Sequence, residues 1–224
     1  MSIDSERTLV GPASSPSIPL PPELQSSRIV VVSDFNCPYC FTLNEWLNQL
    51  GVEERVYWVG VEHKGHLPAG FSDANDPEDH STLLKEVADV QRRAPEVGVQ
   101  LPPVWINSQR ALLLQAAVEA EEPGLAAPLR TAIFRGFWRD QQNIADVQQL
   151  RQLQQRAGVD ADSERLLDSE ALDRITSWWR QDLDRIPCML APTGARHLGL
   201  QDRAAVEAFV LGALHEPPAG PACR

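Results

Sequence analysis

The chain has 224 residues, 43% of them hydrophobic and 23% charged, enough to bury a core in one domain, or in one domain with a large insertion, without disulfide staples. Its formal net charge of −11 argues against a nucleic-acid or anionic-membrane surface. No apolar stretch approaches the length needed to span a bilayer.

Residues 1–27 are rich in Ser and Pro, and Pro12, Pro16, Pro19, Pro21 and Pro22 predict a disordered tail. The tail lacks a basic start followed by an apolar run, so it does not read as a secretory signal, and a cytoplasmic location is expected. Residues 28–75 form the first part of the predicted core. Ile29 to Val32 is β-branched and apolar throughout, as in a strand covered on both faces. A helix follows from about Pro38 to Leu50, with Leu43, Trp46, Leu47 and Leu50 on one side and Gly51 as its stop. Arg55 to Val61 is a second strand, parallel to the first if the crossover is right-handed.

Residues 76–183 read as a helical insertion. Asp76-Pro77-Glu78 gives an N-cap, a proline at N1 and an acidic first turn, and Leu83, Val87 and Val90 form the buried stripe. Asn107 is the expected cap of the next helix, which Pro123-Gly124 ends. Leu125, Leu129, Ile133 and Phe137 mark a third helix, Asp146 to Ala157 a fourth, and Leu167, Ala171, Ile175 and Trp178 a last one. Residues 184–215 return to the core. Two strand-like runs, Ile186 to Leu190 and Ala195 to Leu200, flank a Pro192-Thr193-Gly194 turn, and a helix follows from about Asp202 to Leu214. Residues 216–224 are a second loose tail. The order βαβ, a helical block, then ββα predicts an α/β fold with a thioredoxin-like core and a large all-helical insertion.

Cys37-Pro38-Tyr39-Cys40 lies where the first strand turns into the first helix. A C-x-x-C pair there fits a reversible disulfide, half of a zinc site, or two buried structural cysteines. The chain has no second C-x-x-C, and His63, His66, His80, His197 and His215 show no ligand spacing, so no metal is expected. If the pair is redox-active, Cys37 at the helix N-terminus is the attacking thiolate and Cys40, one turn later, the resolving thiol. A helix dipole worth up to ~2 kcal/mol would lower a thiol from about 8.5 to roughly 7. Pro38 suits N1, and Tyr39 adds bulk and an amide donor that tune the pair. Asp34 is either a carboxylate that accepts the Cys40 proton or an ordinary loop or capping aspartate. Cys188 is either a small buried hydrophobe or a third redox thiol, and Cys223 lies in the tail. Trp58, Trp105, Trp138, Trp178 and Trp179 are expected in the core and on the insertion surface, not at a cofactor.

Ser33-Asp34-Phe35-Asn36-Cys37-Pro38-Tyr39-Cys40 resembles the active-site segment of the DsbA family, in its FrnE-like branch, which is related to 2-hydroxychromene-2-carboxylate isomerases. Asn107 to Leu112, Phe137 to Ile144, and Ile186-Pro187 through Gly199-Leu200-Gln201 resemble further segments of that family. The resemblance implies thiol–disulfide exchange on protein or small-molecule disulfides. It also implies a cis Pro187 facing the thiols, with the backbone of Ile186 offered to substrate as a short β-pairing edge. No cofactor is implied beyond glutathione as a co-substrate. The family usually carries Gly-Val before that proline, where this chain has Arg185-Ile186. The isomerase relatives usually have serine in place of Cys37, so retention of both cysteines points to exchange chemistry. The rival readings are a glutathione-dependent isomerase or transferase, and a non-catalytic redox-sensing or metal-binding module. Oligomeric state is not legible.

Overall fold

The computed structural model describes residues 29–67, 76–160 and 185–215. The two tails, Cys223, and the predicted insertion helix carrying Leu167, Ala171, Ile175 and Trp178 lie outside the described residues. Among the described residues there are four strands and six α-helices: β1 (Ile29–Ser33), α1 (Pro38–Gln49), β2 (Val56–Gly60), α2 (Pro77–Arg93), α3 (Gln109–Glu121), α4 (Pro123–Trp138), α5 (Val147–Arg156), β3 (Cys188–Leu190), β4 (Arg196–Leu198) and α6 (Arg203–His215).

The sheet order is β2-β1-β3-β4. β2 runs parallel to β1, with Ile29 opposite Val56 and Ser33 opposite Gly60, as the crossover rule requires. β3 is antiparallel to β1, with Cys188 opposite Val32, and β4 is antiparallel to β3. Every residue of β1 is buried, which accounts for its unbroken apolar run. The hairpin closes as its turn residues predict: Gly194 takes φ +87° and its amide donates to the Ala191 carbonyl. The mixed α/β fold with its thioredoxin-like core and helical insertion is therefore the observed one.

The predicted boundaries move at several places: β3 begins at Cys188, so Ile186 and Pro187 precede the strand, and β4 is shortened to Arg196–Leu198. Asn107 does not cap α3; Ser108 occupies that position, while the Asn107 side chain accepts from the Gln109 amide at 2.8 Å. Pro123 starts α4 as its first residue, because a missing N–H costs nothing there. Asp76 and Asp146 do cap α2 and α5 with their carboxylates.

One apolar core runs from the sheet into the helical block. Phe35 joins the two parts, with ring centroids 4.8 Å from both Trp58 of β2 and Phe134 of α4. Buried Glu45 of α1 is held by Arg135 of α4 and by Arg139, the C-cap of that helix, a pairing that offsets the cost of its charge. The helical block is thereby fastened to the helix that carries the thiols.

Candidate active site

β1 ends at Ser33, and residues 34–37 turn its carboxyl end into the start of α1. Cys37 is the N-cap, with extended backbone, and its carbonyl accepts the first helical bond from Phe41 at 3.1 Å. Pro38 sits at the helix start, where its fixed φ suits the first turn. The loop is held by two indoles from the helical block. Trp138 Nε1 donates to the Phe35 carbonyl at 2.8 Å, and Trp105 Nε1 to the Asn36 carbonyl at 2.6 Å. These consecutive carbonyls would otherwise be buried acceptors without partners.

Asp34 is fully buried, and donors surround its carboxylate. Oδ1 accepts from the Ser108 hydroxyl and, at 3.5 Å, from the Asn36 amide. Oδ2 accepts from the His63 amide and pairs with His63 Nδ1, each at 2.9 Å. It is neither an exposed loop residue nor a helix cap. Its carboxylate ties the ends of β1 and β2 to the start of α3.

Cys37 and Cys40 are both buried free thiols in hydrogen-bonding contact. The depressed Cys37 pKa expected from the helix dipole is not what this environment produces. Burial pushes the thiol well above its usual range, reinforced by the hydrogen bond with Cys40 and by the negative charge of Glu86. The Cys40 amide pulls the other way and is outweighed, because the cost of burying a thiolate away from water exceeds what one amide returns.

Cys37 opens onto a groove of about 550 Å³. One wall is α2, with Glu86 and Arg93; another is Arg185, Ile186 and the Leu198–Gln201 segment, and Tyr39 and His63 complete the lining. The Ile186–Pro187 peptide is cis. The Pro187 carbonyl accepts from the Gly199 amide at 2.8 Å, which packs the segment before β3 against the end of β4. Gly199 has φ +68°, the left-handed conformation that favours glycine, and the Arg185 side chain packs over it. Arg93 crosses between the walls, donating to the Leu200 carbonyl at 2.6 Å and to Asp89. The Tyr39 hydroxyl donates to Asp89 at 3.3 Å and is pushed up to about 12, first by burial and then by Asp89.

Cys37, Tyr39 and Ile186 thus line one groove, with Cys40 behind Cys37 and Pro187 next to Ile186. Cys188 lies within the sheet at 0% exposure, opposite Val32, and burial pushes its thiol up to about 11. Sequence reasoning missed His63, Glu86, Ser108 and the roles of Trp105 and Trp138. His63 had a signal: it follows β2 closely, and the carboxyl ends of parallel strands gather ligand sites. Glu86 had a weaker one, an acid between Leu83 and Val90 on the buried side of α2. The indoles had none, since their partners are backbone carbonyls about seventy and a hundred residues away. Among the described residues no cluster of three or more His, Cys, Asp or Glu side chains is arranged to hold a metal.

Known proteins share this architecture. A probable DsbA oxidoreductase from Streptomyces coelicolor superposes with a TM-score of 0.65 at 16% identity, covering 87% of this chain and 93% of that one. A 2-hydroxychromene-2-carboxylate isomerase superposes at 0.59 with 19% identity, covering 83% and 95%. The uncharacterized protein YwbO of Bacillus subtilis (strain 168) is 27% identical over 140 residues, which span 61% of this chain and 68% of that protein. The family model for the DSBA-like thioredoxin domain matches residues 28–178. That match takes in β1, the Cys37–Cys40 turn and most of the helical block, and the chain belongs to the DSBA-like thioredoxin domain family.

Proposed function

We propose that the protein is a thiol–disulfide oxidoreductase acting on disulfides of proteins or small molecules. The observation that carries this reading is the pair of adjacent, unbonded thiols at the start of α1, with Cys37 opening onto a groove that Ile186 also lines. Cys37 is the attacking group and Cys40 the resolving one. Cys37 loses its proton to solvent and attacks one sulfur of the substrate disulfide. That S–S bond breaks as the mixed disulfide forms, and the leaving thiolate takes up a proton. Cys40 then loses its proton to solvent and its thiolate attacks Cys37; the mixed disulfide breaks, the second substrate sulfur leaves and takes up a proton, and Cys37–Cys40 is left oxidised with the substrate reduced by two electrons. The same steps run in reverse oxidise a dithiol. Ile186 offers its backbone to an extended substrate, and Asp34 and Tyr39 fix the surroundings of the pair. No resident cofactor or metal enters these steps; glutathione is a candidate co-substrate. The family membership supports this chemistry, and a cytoplasmic setting suits a pair that starts reduced.

The raised Cys37 pKa means that the resting pair is protonated at neutral pH, so alkylation and exchange should accelerate as pH rises through 7 to 9. The test is reduction of insulin by dithiothreitol with and without protein. The full chain should accelerate it, Cys37→Ser should fall to the uncatalysed rate, and Cys40→Ser should trap a mixed disulfide at Cys37. A wild-type rate equal to that of dithiothreitol alone would overturn the reading.

A further inference from the structure

The α2 wall of the groove carries a carboxylate that the fold leaves unsatisfied. Glu86 lines the groove with Cys37, and its Oε2 is buried without a hydrogen-bond partner. The residue itself is only half-buried and lines the groove beside Cys37. The neighbouring cations each hold another partner. Arg93 is spent on Asp89 and the Leu200 carbonyl. Lys64 Nζ sits 4.2 Å from the centroid of the Trp105 ring, and the His63 ring pairs with Asp34. Arg185 stands on the opposite wall beside Ile186. The charges of His63 and Lys64 act on Glu86, yet burial still holds its carboxyl above the usual range. A buried acceptor without a donor, placed where substrate must pass, is satisfied by what the substrate brings.

We propose that Glu86 is a specificity-determining residue that receives a cation, the ammonium or guanidinium of a basic side chain beside the substrate disulfide, and that this pairing frees Cys37 to attack. The proposal rests on the exchange activity proposed above and names its preferred substrates. Until the cation arrives, the charge of Glu86 opposes a second negative charge on Cys37. Once Glu86 is paired that opposition falls, the Cys37 proton passes to solvent, and exchange proceeds with the same balance of bonds and electrons. A small dithiol returns the pair to its reduced state. Substrate binding and thiolate formation thereby become one event.

The experiment uses the full chain with dithiothreitol as reductant and three peptide disulfides that differ only in Lys, Gln or Glu beside the cysteine. The wild type should reduce the Lys peptide with kcat/KM about tenfold above the Glu peptide, and Glu86→Gln should shrink that ratio to less than about twofold. The same variant should lower the pH midpoint of Cys37 alkylation by iodoacetamide, a change that a purely structural role would not produce. The wild-type ratio is independent of how the variant folds, and circular dichroism checks the variant itself. A Lys preference that survives Glu86→Gln, a preference for the Glu peptide, or an unmoved alkylation midpoint would each overturn the proposal. If neither insulin nor any peptide is reduced while the midpoint moves, the exchange reading has failed and the Glu86–Cys37 coupling has not.

Discussion

Asp34 at the foot of the Cys37 loop and Glu86 across the groove are both carboxylates withdrawn from water, yet their surroundings are opposite. Asp34 is wholly buried, and four contacts from Ser108, His63 and Asn36 occupy its oxygens. Glu86 keeps a buried oxygen with no partner. At the foot of the loop both Asp34 oxygens are partnered, although Asn36 Oδ1 in the same loop is buried without a partner. The α2 wall is unfinished, and the missing donor is left for a substrate. Burial alone therefore does not mark a functional acid; what decides is whether the fold itself has satisfied it.

The contrast can be broken most forcefully at the foot of the loop. Asp34→Ala strips acceptors from the Ser108 hydroxyl and from two groups of His63, leaving buried donors unpaired. A loss of about 3–5 kcal/mol in urea unfolding is expected, whereas Glu86→Gln should stay within about 1 kcal/mol of the wild type. Equal losses in the two variants would erase the distinction.

Cys188 offers a smaller effect through pH. Its folded pKa is raised from 9.0 to about 11 by burial beside β1. A raised pKa means stability that is complete below the unfolded value of about 9 and lost as pH climbs towards 11. The contribution is at most about 2.5 kcal/mol. Unfolding measured between pH 7 and 11 should show this loss in the wild type and less of it in Cys188→Ala. Equal pH dependence in the two proteins would mean that Cys188 is not held in the apolar sheet.

The smallest expected change is at the indole clamp. Trp138→Phe keeps the ring but removes the donor to the Phe35 carbonyl, at a cost of about 1–2 kcal/mol. Because the Phe35 carbonyl lies two residues before Cys37, insulin reduction should slow by a few-fold relative to the wild type. No kinetic change in Trp138→Phe would make the clamp a matter of stability alone.

Much of this molecule is readable from local pattern. The apolar run of β1, the 3–4 stripes of α1 and α4, the acidic caps of α2 and α5 and the glycine turn between β3 and β4 follow from rules that act within a few residues. Cys37 and Cys40 were legible because both lie on one helical turn, and Ile186 because a proline in strand-like sequence is unusual. Asp34 was legible as a residue of interest, but the choice between proton acceptor and loop aspartate needed its partners. Those partners lie 29 and 74 residues away.

By itself the sequence determined the order of elements, the parallel β1–β2 pair and the position of two thiols at a helix start. Periodicity, capping and crossover handedness act locally, and so leave a local trace. The tertiary structure decided the electrostatics of the site. It brought the indoles of Trp105 and Trp138 to the loop, saturated Asp34, set Glu86 beside Cys37 and raised a thiol that the helix dipole alone would have lowered. Solvation and charge depend on what surrounds an atom in three dimensions, and those neighbours come from segments that no local pattern connects.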